Sequence, residues 1–382
     1  MNIFFKILLF LFLIFKFSYS FSEETKIKIG ILAPLSGENA SLGKQIINSI
    51  RMALIDINDN KIEIYPRDTK SDPAIALRSA LELEKMGISL VIGPVFYKNL
   101  AYLNEVKSIT FLSLTNKTLD LPENIISSGI NSTSQLKTIK KFLELNEIKK
   151  PILLVPNLNY DLEIKRGIKN SKLKFLKQYY YDIEPTKLTK QIEKITNYKI
   201  RKQNLLDEIL RLENSDDANK EKKIENLKKR YTLGNLKFES VIIADFDESL
   251  KSVITSLLYS DVSPQEKYII TLNQWFDESL LKETNAQPIY YPSINKKNLD
   301  NFTLKFSEKF DYKPNHLSLL SYDLIGLIYY LSLKNDPLEI SKSFKTKNSF
   351  KGKIGIFEIK NNKINHQLNF YEVNKGKIKE IF

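Results

Sequence analysis

The sequence has 382 residues, a length typical of a protein with two domains or two lobes. Its residues are 42% hydrophobic and 27% charged, a composition typical of a folded protein, which excludes a disordered chain. It contains no cysteine, which excludes disulfide scaffolds, thiolate metal sites and cysteine nucleophiles, and its two histidines leave little room for histidine-based catalysis. The formal net charge is +13, but the lysines are scattered without the interleaved aromatic residues that base stacking needs.

The N-terminus predicts an export signal. Lys6 precedes a nine-residue apolar run, Ile7 to Phe15, far shorter than the ~20 residues that span a bilayer. Ser18-Tyr19-Ser20 then places small residues at the cleavage positions. We therefore expect residues 1–20 to be a cleaved signal peptide, the mature protein to be periplasmic, and nucleic acid not to be a partner. Lys16, inside the apolar stretch, leaves an uncleaved N-terminal anchor as the alternative.

From Lys26 onward, short β-rich runs alternate with amphipathic helical stretches. The predicted strands are 27–32, 61–65, 90–93, 110–113 and 125–128, then 151–155, 175–181, 241–244 and 268–271. The predicted helices are 41–58, a helix from Asp72-Pro73 to Gly87, 134–145, 298–310 and 316–333. We interpret Ile289 to Pro292 as a return connection, and the tail as a hairpin of 354–359 with 368–373, turning near Asn361-Asn362. The alternation predicts an α/β fold with two doubly wound, parallel-sheet lobes.

A charged segment interrupts the second lobe. Between Lys199 and Arg230, 17 of 32 residues are charged, and each half carries one narrow apolar stripe. Asn214-Ser215-Asp216-Asp217 separates the halves, so we predict an inserted antiparallel helical hairpin, within an insert of about 187–231. The hairpin is either a docking arm for a protein partner or a solvated element that packs on its own lobe.

Ligands of open α/β sheets bind beyond the carboxyl ends of the strands, where the strand order switches. The candidate cleft residues in these loops are Ser36, Tyr97, Ser113, Thr115, Asn116, Asn157, Asp245 and Trp275. Hydroxyls and helix N-terminal amides at such loops suit a small carboxylate ligand. The competing interpretation is that the loop Ser, Thr and Asn residues cap helices and that Trp275 is a packing residue.

Motifs for catalysis are missing. The sequence has no phosphate-binding Gly-x-x-x-x-Gly-Lys, no dinucleotide Gly-x-Gly-x-x-Gly and no Gly-x-Ser-x-Gly elbow. No pair of carboxylates is singled out by its spacing, and we expect His316 to cap the helix that follows it. We therefore expect a protein that is not an enzyme and that carries no cofactor and no metal.

Four motifs in order carry a resemblance to a known family. They are Lys-Ile-Gly-Ile-Leu-Ala-Pro-Leu-Ser-Gly (28–37), Asp68-Thr69, Asp72-Pro73-x-x-Ala76 and Gly87-x-x-x-Val91-Ile92-Gly93-Pro94. The chain resembles the type I periplasmic binding proteins of the leucine-binding-protein family. The resemblance implies two lobes joined by three crossovers near Asn131, Pro292 and Lys351. It implies a first lobe of 26–131 plus 292–350 and a second of 132–291 plus 351–382.

One branch of that family, the penicillin-binding protein activators, is more similar than the amino-acid receptors. The segments that resemble it are Gly93-Pro94-Val95-Phe96, Thr115-Asn116, Thr232-Leu233-Gly234 after the insert, the stretch around Trp275, Leu319-x-x-Tyr322-Asp323 and Phe350-Lys351-Gly352-x-x-Gly355-x-Phe357. This resemblance implies a regulator or scaffold of cell-wall synthesis whose partner is a peptidoglycan synthase. The receptor branch implies instead an amino-acid or other small-solute receptor whose partner is the membrane subunit of an ABC importer.

The ligand residues of the receptors carry over incompletely. Thr115 matches the threonine that holds the amino-acid backbone, but Tyr97 stands where a serine grips the carboxylate. Leu42 stands where an aromatic wall is expected, and Asp245 is only a candidate partner for the ammonium group. An open cleft lined by Ser36, Thr115 and Asp245 favours the receptor, whereas a cleft filled by Leu42, Phe96 and Tyr97 favours the scaffold.

Overall fold

The computed structural model describes residues 26–158, 160–335 and 337–382. The predicted signal peptide, residues 1–20, lies outside the described residues. The helices in the described part are α1 (Ala40–Ile57), α2 (Pro73–Lys85), α3 (Ser132–Leu145), α4 (Asp161–Ser171), α5 (Pro185–Ile195), α6 (Tyr198–Glu213), α7 (Lys220–Lys228), α8 (Asp247–Tyr259), α9 (Glu278–Lys282), α10 (Lys296–Phe310) and α11 (His316–Ser332). The strands there are β1 (Ile27–Ala33), β2 (Ile62–Asp68), β3 (Leu90–Ile92), β4 (Thr110–Ser113), β5 (Ile125–Ser127), β6 (Pro151–Pro156), β7 (Lys177–Tyr181), β8 (Ser240–Ile243), β9 (Tyr268–Thr271), β10 (Ile289–Ser293), β11 (Asn348–Lys351), β12 (Ile356–Lys360), β13 (Lys363–Gln367), β14 (Asn369–Asn374) and β15 (Lys377–Glu380).

Two parallel sheets confirm the predicted α/β class. The first has the order β2-β1-β3-β4-β5, and all of its pairs are parallel. The second has the order β15-β14-β10-β9-β8-β6-β7, in which β6 to β10 run parallel and the pairs β10–β14 and β14–β15 are antiparallel. β1 and β6 are apolar almost throughout because helices cover both faces of each sheet.

Each sheet has a hydrophobic core on both faces. On the first sheet, α1, α10 and α11 share one core and α2 lies in the other. On the second sheet, α5 and α8 share one core, and α3 and α4 the other. We call the first sheet with its helices the first lobe, and the second sheet with α3 to α8 the second lobe.

Two sequence interpretations of strands were wrong. We expected β2 to stop before Pro66, but it continues to Asp68, because β2 is an edge strand and the missing N–H of proline costs no ladder hydrogen bond there. Ile289 to Pro292 is not a return connection but most of β10, which pairs with β9 and β14.

The tail hairpin turns where predicted but pairs differently. Asn361 and Asn362 both have positive φ, as a two-residue hairpin turn requires. The partner of β12 is β13, whereas the predicted partner, residues 368–373, is mostly β14 in the second sheet. Phe357 of β12 and Ile364 of β13 belong to the core of the first lobe. We predicted that residues 351–382 all belong to the second lobe. Of the strands in this segment, only β14 and β15 are part of the second sheet.

The charged insert forms two helices. α6 and α7 pack against each other, and the chain after α7 returns to the start of α6, where the N–H of Leu233 donates to the carbonyl of Arg201 at 2.9 Å. Leu205 and Leu212 of α6 are buried. Leu206 and Leu210 are 48% and 54% exposed, and no residue of α7 is fully buried. The hairpin thus packs on its lobe with one side and presents the other to solvent.

Candidate functional site

At the end of β1, Ser36 is bonded within its own lobe. Its hydroxyl donates to Asp68 at the end of β2 (Oγ to Oδ2, 2.5 Å), and Asp68 also accepts from the N–H groups of Leu35 and Lys70, each at 2.8 Å. Burial raises the pKa of Asp68, but the hydrogen bonds together lower it below its ordinary value, so this carboxylate is ionised at neutral pH.

The predicted residues Ser113, Thr115 and Asn116 lie at the end of β4 and in the loop after it, and the first two bond to neighbouring parts of the first lobe. Ser113 is fully buried and donates to the carbonyl of Pro94 at 2.9 Å. The carbonyl of Thr115 accepts from the hydroxyl of Ser127 at 2.6 Å, and Asn116 is exposed. These contacts join the loops after β3, β4 and β5 at the carboxyl edge of the first sheet.

Tyr97 begins the turn after β3 and does not fill the cleft. Its ring is exposed, and Lys117 Nζ lies 4.7 Å from the ring centroid, within cation–π range. A tyrosine here therefore interacts with a neighbouring lysine of its own lobe.

In the second lobe, Asn157 and Asp245 are connected through Tyr181. The N–H of Asn157 donates to the carbonyl of Tyr181 at 2.9 Å, and the Tyr181 hydroxyl donates to Asp245 Oδ2 at 2.5 Å. Asp245 is buried and also accepts from the hydroxyls of Tyr160 (3.3 Å) and Ser249 (2.5 Å) and from the next backbone N–H (2.9 Å). Burial, and then the Asp245 carboxylate, raise the pKa of both tyrosines, so both stay protonated as donors. Four donors thus occupy the carboxylate expected to pair with an ammonium group.

Aromatic side chains connect the lobes at the Trp275 loop. Trp275, after β9 of the second lobe, stacks on His316 at the start of α11 in the first lobe, with ring centroids 4.4 Å apart and an interplanar angle of 26°. Trp275 and Phe276 pack against the core of the first lobe, and so do Leu42 and Phe96. His316 is thus a stacking partner and not the helix cap that we expected, because the side chain of Asn315 caps α11.

A second contact between the lobes involves residues that the sequence reasoning missed. Glu163 of α4 accepts from the N–H groups of Thr118 (2.7 Å) and Leu119 (2.8 Å) and from the Thr118 hydroxyl (2.9 Å), all in the loop after β4. Arg166, one turn later, donates from Nη1 to the carbonyl of Thr118 at 2.6 Å. A Glu-x-x-Arg pair on one helix face is common on solvated helices, so the sequence held no signal for this role.

In the part of the chain that the structure describes, no three His, Asp or Glu side chains form a group able to hold a metal ion. No helix among the described residues has the length and hydrophobicity needed to cross a bilayer.

The architecture and one part of the sequence point to the same fold. Residues 26–200 match the family model described as periplasmic binding protein. The chain itself has two largely parallel sheets of related strand order, linked by segments that pass from one lobe to the other. The match covers less than half of the chain, and the likeness to solved structures shows that the chain has the type I periplasmic binding protein fold.

Solved structures with this fold include both binding proteins and a regulator. The C-domain of LpoA (YraM) from Haemophilus influenzae, a regulator of PBP1A, is 14% identical at a TM-score of 0.61, over 93% of this chain and 100% of that one. A putative branched-chain amino acid ABC transporter from Rhodospirillum rubrum is 12% identical at a TM-score of 0.71, over 93% and 100%. LivJ from Streptococcus pneumoniae, solved with isoleucine, is 17% identical at a TM-score of 0.53, over 93% and 98%. No curated protein matches the chain.

In this periplasmic-binding-protein fold, the predicted cleft residues divide into two groups that make no hydrogen bond to each other within the described residues. Ser36, Ser113 and Thr115 bond within the first lobe, and Asn157 and Asp245 bond within the second. The lobes meet instead through the Trp275–His316 stack and the Glu163–Thr118 hydrogen bonds.

Proposed function

We propose that this protein is a non-enzymatic regulator or scaffold of peptidoglycan synthesis in the periplasm, and that it acts on a penicillin-binding protein. The observation that carries the proposal is how the apolar side chains at the predicted cleft pack. Leu42 and Phe96 of the first lobe and Trp275 of the second all pack against the hydrophobic core of the first lobe, and Trp275 also stacks on His316, so these side chains are held by the protein itself.

The charges in the cleft support the same proposal. An amino-acid receptor needs a free carboxylate for the ammonium group of its ligand, and each charge-assisted hydrogen bond is worth about 1.5–3 kcal/mol. Asp245 already accepts four hydrogen bonds from its own lobe. Breaking them to bind a ligand would cost as much as the new contacts return, so tight amino-acid binding is disfavoured.

The α6–α7 hairpin supplies a surface for a protein partner. Leu206 and Leu210 lie one helical turn apart on the solvent side of α6, and Tyr231, just after α7, is 77% exposed. Charged residues adjoin the two leucines along α6, namely Asp207, Glu208 and Arg211. Apolar anchors with a charged rim are the usual composition of a protein–protein interface.

The second candidate is a receptor for an amino acid or another small solute that serves an ABC importer. Thr115 favours it, because this residue stands at the carboxyl end of β4, where the receptors hold the backbone of their ligand. The fold that the chain shares with LivJ is compatible with this role.

The two functions are separated by an assay of each on the mature chain, residues 21–382. The first measures glycan polymerisation by a purified penicillin-binding protein of the source organism, with and without this protein. We expect at least twofold stimulation, lost in the Leu206→Asp/Leu210→Asp variant. Leu304→Asp is the matched control, because Leu304 is an exposed leucine on α10, far from the hairpin in sequence.

The second assay measures thermal unfolding against a panel of amino acids and small acids. A ligand at a hundred times its Kd adds about 2.7 kcal/mol of stability, a shift of several degrees. A shift with one amino acid and no stimulation of the synthase would overturn the regulator and establish the receptor. Stimulation with an unresponsive panel is the result that the regulator predicts.

A further inference from the structure

A cavity of about 1060 Å³ lies apart from the cleft. Its walls come from the loop after β4, the end of β5, helices α3 and α4, and the β12–β13 turn. None of the eight predicted cleft residues lines it. The cavity therefore touches both lobes and the β12–β13 hairpin, at a place to which the proposed function assigns no role.

The lining is strongly basic. Five cationic side chains line the cavity, namely Lys137, Arg166, Lys345, Lys360 and Lys363. The carboxylates in the lining are Asp120 and Glu123, which leaves three positive charges in excess. The side chains of Lys345, Lys360 and Lys363 make no ion pair or hydrogen bond with any described residue, and the nearest carboxylate to Lys137 is Glu358 at 4.0 Å.

Asparagine side chains lie among these cations. Asn361 and Asn365 line the cavity, and within the described residues their side-chain amides make no hydrogen bond. Asn362 uses only its Nδ2, which donates to the carbonyl of Glu123 at 3.3 Å, and Asn170 donates to Thr133 at 3.4 Å. A carboxamide offers a donor and an acceptor side by side, which matches neighbouring hydroxyl groups on a sugar ring.

The remaining wall is apolar. Leu121, Pro122, Ile125 and Ile364 contribute to it, so a flat C–H face of a ligand finds contact there. The volume is just above the range of about 300–1,000 Å³ for small-molecule sites, which suits an oligomer better than a single small anion.

We propose that this cavity binds an anionic oligosaccharide whose carboxylates or phosphates meet the lysines and whose hydroxyls meet the asparagines. Such a ligand contacts Arg166 of the second lobe and the loop of Thr118 in the first, so binding adds to the link between the lobes. The inference is independent of which partner the protein regulates.

The test measures binding of labelled hexasaccharides to the mature chain at 50 mM and 200 mM NaCl. The probes are hexagalacturonate, which carries carboxylates, phosphorylated maltohexaose, and neutral maltohexaose. We expect at least one anionic probe to bind ten times more tightly than the neutral probe and to weaken at the higher salt concentration, because screening reduces charge attraction. Which anionic probe binds tells whether the natural charge is a carboxylate or a phosphate.

Two variants with the same net charge separate a site from general attraction to a basic protein. Lys360→Gln/Lys363→Gln removes two lining lysines and is expected to weaken binding at least fivefold. Lys347→Gln/Lys351→Gln removes two exposed lysines at β11 that do not line the cavity. This variant is expected to change the binding affinity less than twofold. Asn365→Ala is expected to weaken binding of the oligosaccharide but not of tripolyphosphate.

The proposal is overturned if no probe binds at millimolar concentration, if neutral and anionic probes bind equally, or if both double variants lose binding to the same extent. Equal affinity for tripolyphosphate and for the anionic hexasaccharide overturns the saccharide part, because the asparagines then contribute nothing. All four substituted lysines are exposed, so the variants are expected to fold as the parent does.

Discussion

The carboxylate of Glu163 in the second lobe accepts three hydrogen bonds from Thr118 and Leu119 in the first. Its side chain is largely buried, so these bonds are shielded from solvent. The carbonyl of Glu163 also accepts from the Ser132 hydroxyl at 2.7 Å, which links α4 to the start of α3. The residue thus holds one loop of the first lobe against two helices of the second.

Glu163→Gln is expected to lower the free energy of unfolding by about 2–3 kcal/mol. The amide oxygen of the glutamine can still accept from the two backbone N–H groups, but its NH2 faces the Thr118 hydroxyl, which must turn from donor to acceptor, and the charge that strengthened all three buried bonds is removed. Urea denaturation at pH 7 measures the effect. Glu144→Gln on α3 is the control, since its ion pair with Lys140 is exposed and the expected change is under about 0.5 kcal/mol. Equal effects of the two substitutions would contradict the assigned role.

His366 is expected to make the protein less stable as the pH falls. Burial lowers its pKa from 6.5 to about 4, although its hydrogen bond to the carbonyl of Ser128 acts in the other direction. The unfolded chain therefore takes up a proton first, and the free energy of unfolding falls by about 3 kcal/mol between pH 7 and pH 4 from this group. Urea titrations of the parent and His366→Gln across that range measure it. A difference between them that does not change with pH would refute the prediction.

Asp323 on α11 has the opposite pH dependence. Burial raises its pKa from 3.8 to about 6, and this outweighs the hydrogen bonds from the backbone N–H groups of Ile354 and Lys353. The folded state keeps a proton that the unfolded state has released, so stability from this group falls as the pH rises from about 4 to 6. The total is about 3 kcal/mol. Relative to Asp323→Asn, the parent is expected to lose stability over this range, and a constant difference would disprove it.

Gly352→Ala is expected to destabilise the protein by about 1–3 kcal/mol. A Cβ at this position meets the Asp323 carboxylate and lies 2.9 Å from the ring of Phe357, both fully buried. Thermal unfolding of the variant measures the cost. Ser349→Ala on β11, just before Gly352, is exposed and serves as the control, with little change expected. An unchanged Tm for Gly352→Ala would mean that the carboxylate moves away freely.

Arg201→Met is expected to release the α6–α7 hairpin from the second lobe. Arg201 is buried and donates to the carbonyl of Ser260 (3.2 Å), the hydroxyl of Thr232 (2.6 Å) and Asp261 Oδ2 (3.2 Å). In this variant the backbone amide hydrogens of α6 and α7 are expected to exchange at least ten times faster than in the parent, while those elsewhere are unchanged. Arg211→Met, which removes an exposed i,i+3 ion pair with Glu208, is the matched control and is expected to leave exchange unchanged. Acceleration in both variants would argue against anchoring by Arg201.

Periodic patterns in the sequence predicted the helices, strands and turns that are determined by residues close together along the chain. α1 has apolar residues at helical spacing, and Asp72 caps α2 by accepting from the N–H of Ile75 at 2.9 Å, as expected. β1 and β6 are apolar almost throughout, which identified central strands of parallel sheets. The hairpin turn at Asn361-Asn362 followed from the conformations that asparagine tolerates. These features depend on neighbours within a few residues along the chain.

Strand partners and the cleft depended on the tertiary structure. Whether β12 pairs with β13 or β14, and whether Pro66 lies on an edge strand, is decided by distant parts of the chain. In the cleft, the sequence named Asp245 and Trp275, but their partners Tyr181 and His316 are 64 and 41 positions away along the chain (245 − 181 and 316 − 275). The lobe contact of Glu163 and the basic cavity were invisible in the sequence for the same reason. By itself the sequence determined the class of fold and most of its helices and strands, because hydrophobic periodicity and turn chemistry are local. Only the tertiary structure decided which side chains meet between the lobes, because that depends on how residues far apart along the chain pack together.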